Sequence, residues 1–177
     1  MLYNYPGRTG THMGEEFLDE VGKFANICGI KESSGDINRD HLLAYDNPNI
    51  FLCCGMDDQA LEFFACSARC WVWAGYNFLP KFYFALFEAC VLEGDYAKGR
   101  RIMSAMLPLM RVLELGGKFV QSVKYCCELV GLRRGHRDFR WSRWLLKKWV
   151  NLKRWFVTWK LKFPKSFWMV DFSNIPN

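Results

Sequence analysis

Short apolar runs alternate with amphipathic stretches through the first 94 residues of the chain. Three of the runs have the length and composition of buried strands and lead into turn residues: 26–30, 50–54 and 70–74. Residues 15–25 place apolar side chains at helical spacing, and residues 81–92 are a second helix candidate. Asp57 stands where it can cap a third helix, which carries Leu61 and Phe64. Strands that alternate with helices predict an α/β fold, with a parallel sheet and helices outside it.

From Asp95 the pattern becomes wholly helical. Met103, Met106, Leu107, Met110 and Leu113 form a predicted packing face, since their spacing follows the helical repeat. Pro108 predicts a kink in the same helix. We therefore expect three parts: a sheet-containing part over residues 1–94, a helical region over 95–132, and a tail over 133–177.

One lysine stands out at the end of the first apolar run, in the stretch GIKESSGD of residues 29–36. With the strand period of two, Lys31 shares a face with Gly29, whose missing side chain would leave space beside the lysine stem. A cavity next to an amine suits a Schiff-base lysine, because desolvation favours the neutral, nucleophilic form. The alternative is an ordinary solvated lysine at a strand end.

The residues before this run add two further candidates. The stretch YNYPGRTG, residues 3–10, is a strand end followed by a Pro-Gly turn that contains an arginine. The predicted order is then strand, helix, strand, and parallel strands joined in this way end on the same rim of a sheet. We therefore expect Tyr3, Arg8 and Lys31 to come together.

These motifs resemble the C-terminal half of the dihydrodipicolinate synthase and N-acetylneuraminate lyase superfamily, the pyruvate-dependent class I aldolases built on a TIM barrel. The resemblance covers about residues 1–132 and implies the last three to four βα units of a (β/α)8 barrel. It rests on five segments in the family's order: YNYPGRTG at 3–10, GIKESSGD at 29–36, GMDDQAL at 55–61, WVWAGYNFLP at 71–80 and GGKFVQSVKYCCELVGL at 116–132.

The resemblance implies a role for each matching residue. Lys31 would form the imine with pyruvate or a related 2-keto acid, and Tyr3 would relay protons. Arg8 would bind the carboxylate of the aldehyde substrate, as in the synthase branch. This argues against the sialic-acid lyase branch but does not choose among the synthase and the related keto-acid aldolases and dehydratases. Gly55 would let the backbone approach the substrate, and Val72 would line the pyruvate pocket. No cofactor is implied, because the protonated imine itself accepts the electrons.

The resemblance also implies what a complete enzyme of this family would contain in addition. Its N-terminal half would supply a glycine-threonine loop that holds the pyruvate carboxylate, and this chain has no match to that loop. A complete barrel takes about 200 residues or more. The expectation is therefore a truncated relative, inactive alone, which a homo-oligomer or a separately encoded N-terminal half would complete.

The composition changes abruptly after residue 132. Residues 1–132 contain 12 Lys and Arg against 16 Asp and Glu, whereas residues 133–177 contain 12 against 2 and six of the eight tryptophans. Frameshifted or fused foreign sequence is one explanation. The other is a basic amphipathic helix that binds a membrane surface or an acidic partner, because the tail's aromatic residues recur at spacings of three and four. No nucleic-acid partner is expected, since no motif defines such a fold.

The cysteines and histidines suggest no further chemistry. The eight cysteines lie mostly within apolar segments, and none forms a CxxC pair. Reduced, buried thiols in a cytoplasmic protein are therefore expected. The three histidines are scattered, so no metal site is predicted. The first residues lack a charged segment followed by an apolar core, which argues against export.

Overall fold

The computed structural model describes residues 1–132. These residues contain a four-stranded parallel sheet whose strands lie side by side in chain order. The strands are β1 (Leu2–Asn4), β2 (Gly29–Glu32), β3 (Phe51–Cys54) and β4 (Cys70–Trp71). Helical segments connect each strand to the next, so the predicted α/β fold with a parallel sheet is confirmed.

Seven α-helices lie within the described residues, and α3 and α4 pack against β3. They are α1 (Pro6–Thr9), α2 (Glu15–Val21), α3 (Ile37–Asp46), α4 (Ala60–Ala65), α5 (Pro80–Phe87), α6 (Tyr96–Leu115) and α7 (Phe119–Leu129). A π-helical segment, Glu88–Leu92, follows α5 directly. At the start of α3 the side chain of Asp36 accepts a hydrogen bond of 3.1 Å from the backbone N–H of Asn38, which satisfies one of the free donors of the first turn.

The two faces of the sheet differ in burial. Side chains of alternate residues point to opposite faces, and one face carries the buried side chains of Ile30, Leu52, Cys54 and Trp71. The other face, which we call the open face, carries Tyr3, Lys31, Phe51, Cys53 and Cys70. Tyr3 and Phe51 on this open face remain 44% and 45% exposed. The sheet therefore has its hydrophobic core on one side and a partly exposed row of functional groups on the other.

The strand predicted at residues 26–30 is shifted toward its C-terminus. The expected run was 26–30, but β2 spans Gly29–Glu32, and Cys28 just before it is exposed. The space expected beside Gly29 is also filled. A Cβ on Gly29 would lie 2.3 Å from the ring of Phe51, its neighbour on β3. The glycine thus admits an aromatic ring from the next strand and leaves no cavity there.

Three other local predictions were inaccurate. The helix expected over 15–25 ends at Val21, and the strand expected over 70–74 spans only Cys70 and Trp71. Asp57 does not cap a helix: it is itself the first residue of a short 3-10 helix, Asp57–Gln59, and it is buried. Met56 is the residue that precedes this turn. These differences shorten elements without changing their order.

The described chain divides into two compact units, residues 1–74 with 86–103, and residues 75–85 with 104–132. The first unit contains the sheet. In the second, the ring of fully buried Tyr83 lies against Gly75. The helix predicted after Asp95 is confirmed as α6, with Met103, Met106, Met110 and Leu113 buried, and Pro108 lies inside it. Leu107 is half-buried.

The predictions for the tail, residues 133–177, lie outside the described residues. The division into parts at 94 and 132 also stays a prediction. Within residues 1–132, no helix combines the length and the apolar character needed to cross a bilayer.

Candidate active site

Four side chains of the open face stand in one row across the sheet, near the carboxyl ends of the strands. Tyr3 of β1 pairs with Lys31 of β2, Lys31 pairs with Cys53 of β3, and Cys53 pairs with Cys70 of β4. Residues that are direct partners in neighbouring strands point to the same face. In α/β barrels, functional groups gather at the carboxyl ends of the parallel strands. The row is therefore the candidate site.

Lys31 and Tyr3 are in direct contact. The Nζ atom of Lys31 lies 4.2 Å from the centroid of the Tyr3 ring. This separation is within the range of a cation–π interaction, in which the ring face attracts the ammonium group. Lys31 is half-buried and Tyr3 is exposed, so the amine is held by the ring yet remains accessible from the open face. The predicted proximity of these two residues is confirmed.

Gly55, directly after β3, brings its backbone into close contact with the Lys31 side chain. A Cβ at this position would lie 1.9 Å from the Ser33 hydroxyl oxygen and 3.0 Å from Cε of Lys31. The backbone carbonyl oxygen of Glu32 would also be only 2.5 Å away. Only glycine fits, because real Cβ atoms do not approach other atoms so closely. The backbone at Gly55 therefore passes directly beside the lysine side chain.

Arg8 lies on α1, the short helix that follows β1. Its guanidinium carbon is 5.9 Å from the centroid of the Tyr5 ring, and the Tyr5 and Tyr3 ring centroids are 5.9 Å apart. Arg8, Tyr5, Tyr3 and Lys31 thus form a continuous series of contacts. Arg8 is linked to Lys31 through the two tyrosines, which is looser than the direct grouping predicted from the sequence.

Val72 follows β4 directly and is 46% exposed. Its backbone N–H donates a hydrogen bond of 3.0 Å to the carbonyl oxygen of Cys54. The hydrogen bond extends the pairing between the third and fourth strands beyond Trp71, so Val72 is held at the same end of the sheet as the row.

A buried polar network lies on the opposite face, directly under Lys31. Glu32 is fully buried, and its carboxylate accepts hydrogen bonds of 2.9 and 2.8 Å from the Asn4 amide and 2.9 Å from Nε of Arg39. The backbone N–H of Ser34 donates a further bond of 2.7 Å. Asn4 accepts from the backbone N–H of Met13, and Arg39 donates to the Met13 carbonyl oxygen.

Sequence reasoning missed this network. The signal available was that Asn4 and Glu32 directly follow the two candidate residues Tyr3 and Lys31. Alternation along a strand places such neighbours on the opposite face. The network ties β1, β2, α3 and the loop at Met13 together. It therefore fixes the two strands that carry Tyr3 and Lys31.

Asp40, on α3, is a second buried acid near this network. It is 1% exposed, and neither carboxylate oxygen has a hydrogen-bond partner. Burial raises the pKa of Asp40 to about 8, helped by the charges of Glu32 and Asp36 and opposed by Arg39. A carboxyl group with this pKa is mostly protonated at neutral pH, which avoids a second buried charge beside Glu32.

The two sulfur atoms of the row are close together. Sγ of Cys53 lies 3.0 Å from Sγ of Cys70. Burial and, after it, the neighbouring Cys70 raise the pKa of the Cys53 thiol to about 12, although the Lys31 charge and the Val72 N–H act in the opposite direction. Cys53 is fully buried and Cys70 is partly exposed. Within residues 1–132, no group of three or more His, Cys, Asp or Glu is arranged to hold a metal ion.

Comparison with known proteins gives consistent results. The model of the dihydrodipicolinate synthetase family matches residues 1–139. The chain is 32% identical over 138 residues to a 4-hydroxy-tetrahydrodipicolinate synthase of Methanosarcina mazei, a match that covers 77% of this chain and 47% of the relative. It is 38% identical over 114 residues to the synthase of Exiguobacterium sibiricum, which covers 64% and 39% of the two chains. The chain thus spans about half the length of the curated relatives it matches.

Solved structures show the same fold. The 4-hydroxy-tetrahydrodipicolinate synthase of Methylacidiphilum fumariolicum superposes with a TM-score of 0.78 at 25% identity, over 95% of this chain and 57% of that one. A prophage protein of the dihydrodipicolinic acid synthase family from E. coli K12, solved in complex with pyruvate, gives 0.78 at 24% identity, over 91% and 56%. The parallel sheet described here corresponds to part of the barrel in these proteins.

Proposed function

Because this chain belongs to the dihydrodipicolinate synthetase family, we propose that Lys31 is the Schiff-base lysine of a pyruvate-dependent class I lyase or aldolase. The observation that carries the proposal is the contact of the Lys31 amine with the Tyr3 ring, 4.2 Å from its centroid, on an accessible face at the carboxyl ends of parallel strands. At Gly55 the backbone passes directly beside the Lys31 side chain, and only glycine fits at this position.

The chemistry begins when the Lys31 ammonium group gives up a proton, and the resulting neutral amine attacks the keto carbon of pyruvate. The released proton and one proton of the amine join the carbonyl oxygen, which leaves as water, and a protonated imine remains. The imine withdraws electrons from the neighbouring methyl group, which loses a proton to give an enamine. The enamine adds to an aldehyde, or forms when a carbon–carbon bond breaks in the reverse direction. Hydrolysis then releases the product and restores the lysine.

The other candidate residues have roles that suit their positions. Tyr3 orients the amine through its ring and relays protons through its hydroxyl group. Arg8, at the outer end of the contact series, binds the carboxylate of the aldehyde, because a guanidinium group can hold both carboxylate oxygens. Gly55 and Val72 line the pyruvate side of the site.

The proposal for the complete reaction includes residues beyond this sheet. The described residues contribute four strands, whereas a complete (β/α)8 barrel has eight. We propose that a homo-oligomer or a complementing N-terminal half supplies the remaining strands and the group that holds the pyruvate carboxylate. The cytoplasm is the proposed compartment, since all eight cysteines are free thiols in the structure.

Borohydride trapping with pyruvate tests the assignment of Lys31. The reduction converts an imine to a stable secondary amine, so intact-mass and peptide mass spectrometry should locate one pyruvate adduct on Lys31. Lys31→Ala should abolish this adduct. Lys23→Ala is the matched control, because Lys23 is an exposed lysine paired with Glu20, and this variant should keep the adduct. An adduct spread equally over surface lysines would refute the assignment.

A further inference from the structure

Cys53 and Cys70 face each other across β3 and β4 in a geometry close to that of a disulfide. They are direct partners in the strand register. Neighbouring strands lie about 4.8 Å apart, and disulfides join Cα atoms separated by about 4.4–6.8 Å. The two sulfur atoms are 3.0 Å apart, so a movement of about 1 Å would bring them to the bonding distance of about 2.05 Å.

We propose that Cys53 and Cys70 form a reversible dithiol–disulfide pair beside Lys31, oxidised by exchange with a low-molecular-weight disulfide such as oxidised glutathione. In the first step the Cys70 thiolate attacks one sulfur of the oxidant and displaces one glutathione thiolate. In the second step the Cys53 thiolate attacks Cys70 of this mixed disulfide and displaces the second glutathione. The two protein thiols lose two hydrogen atoms in total, and the oxidant becomes two thiols.

Burial decides the order of the two steps. Cys70 is partly exposed and can meet the oxidant, whereas Cys53 is fully buried. Besides burial, Cys70 raises the pKa of Cys53 in two ways, through the hydrogen bond between the two thiols and through its own charge. Once Cys70 is in a mixed disulfide, that charge is gone, and the positive charge of Lys31 still favours the Cys53 thiolate. Because the thiolate is the attacking species, the second step should accelerate as the pH rises.

Neighbouring cysteines are placed for other contacts. Cys54 lies on the buried face, and its Sγ donates to the carbonyl oxygen of Met56 at 3.2 Å. Cys66 lies 3.2 Å from Nδ1 of His41. The disulfide is therefore expected to join Cys53 to Cys70 and not to Cys54 or Cys66. The proposal does not depend on the Schiff-base function, since its test detects only sulfur chemistry.

The test uses the folded chain of 177 residues. The protein is incubated with oxidised glutathione at neutral and mildly alkaline pH, and the remaining free thiols are alkylated with N-ethylmaleimide as the protein is denatured. Proteolysis and mass spectrometry should then identify a disulfide-linked pair of peptides that contain Cys53 and Cys70. Dithiothreitol should remove the link. Full alkylation of both cysteines, or glutathione retained on Cys70, would overturn the proposal.

Single-cysteine variants separate the two steps. Cys53→Ser should trap glutathione on Cys70, whereas Cys70→Ser should leave Cys53 alkylated and free of glutathione. Cys90→Ser is the matched control, because Cys90 is also buried but lies outside the sheet, and this variant should keep the link. Loss of the link in Cys90→Ser would argue against the proposal. The wild-type result needs no variant, so a variant that fails to fold does not affect it.

Discussion

There is no room for a side chain at Gly55, and the free energy of unfolding of a variant with a larger residue can test this. Gly55→Ala should lower this free energy by about 1–3 kcal/mol, because the new Cβ must displace Ser33, the Glu32 carbonyl and the Lys31 stem. Gly7→Ala is the control, since the nearest atom to a Cβ at Gly7 would lie 3.8 Å away, an ordinary contact distance. Urea denaturation measures both variants. Equal effects would show that the space beside Lys31 is not restricted.

Asp40 should make stability depend on pH. Its pKa is about 8 in the folded protein against 3.8 for the unperturbed group. Between these values the folded chain keeps a proton that the unfolded chain releases, so the free energy of unfolding should fall as the pH rises. The slope from this group is at most about 1.4 kcal/mol per pH unit. Above pH 8 the penalty is complete and changes no further.

The substitution Asp40→Asn should remove this dependence. Relative to wild type, the variant should gain stability progressively between about pH 4 and pH 8, because an amide does not ionise. Asp19→Asn, at an exposed carboxylate, is the control and should show no such gain. Urea unfolding at several pH values measures the difference. A constant difference across the range would contradict the assignment to Asp40.

At single positions, the sequence allowed the prediction of groups that face the open side of the sheet. Tyr3 and Lys31 could be identified because each stands at a strand end within a recognisable motif. The contacts of Glu32 could not, because its partners Asn4 and Arg39 are 28 and 7 residues away in the chain. The sequence also could not show that the space beside Gly29 is filled, because the ring that fills it belongs to Phe51 on another strand.

At the scale of elements, the Glu32 network joins β1, β2 and α3. Arg39→Met should lower the free energy of unfolding by about 3–5 kcal/mol, because it leaves the buried Glu32 carboxylate without its cation. Lys23→Met, which breaks the exposed ion pair with Glu20, is the control and should cost less than about 1 kcal/mol. Urea denaturation compares them. Similar losses in both variants would show that the network contributes little to the fold.

The same network explains why the sequence predicted β2 too early in the chain. The apolar run at 26–30 suggested a strand that ends before Lys31, since charged residues rarely lie inside buried strands. In the structure β2 continues through Glu32, because Asn4 and Arg39 compensate its charge. The strand β4 spans only Cys70 and Trp71, and Val72 adds one backbone hydrogen bond to Cys54, although the apolar run continues beyond it.

At the scale of the whole molecule, we expect the four-stranded sheet to gain function from a complementary half. Co-expression with the N-terminal half of the Methanosarcina mazei synthase, which this chain matches over 47% of that relative's length, should give a complex that traps more pyruvate than the chain alone. The physical reason is that a closed barrel pairs both sheet edges and encloses the amine.

Co-purification and borohydride trapping measure the two parts of this prediction. The same co-expression with Lys31→Ala is the control, and it should give the complex without the adduct. Two chains that do not co-purify would count against complementation. An adduct of equal yield with and without the second half would show that the sheet described here already forms the site.

The fold class was predictable because strands and helices alternate along residues 1–94 and because the motifs occur in the order of a known family. Periodicity and motif order are local or linear properties, which a sequence displays directly. The sequence does not predict a contact between the acidic first 132 residues and the basic tail, because charge composition alone does not specify a contact.

The ring of Phe51 fills the space left by the missing side chain of Gly29, and this has a consequence for strand alignment. The ring fits there only when Gly29 and Phe51 are opposite each other, as they are here. A slip of β3 by one residue would turn its side chains to the opposite face and remove the ring from this space. The aromatic ring therefore acts as an alignment key that keeps Cys53 opposite Lys31.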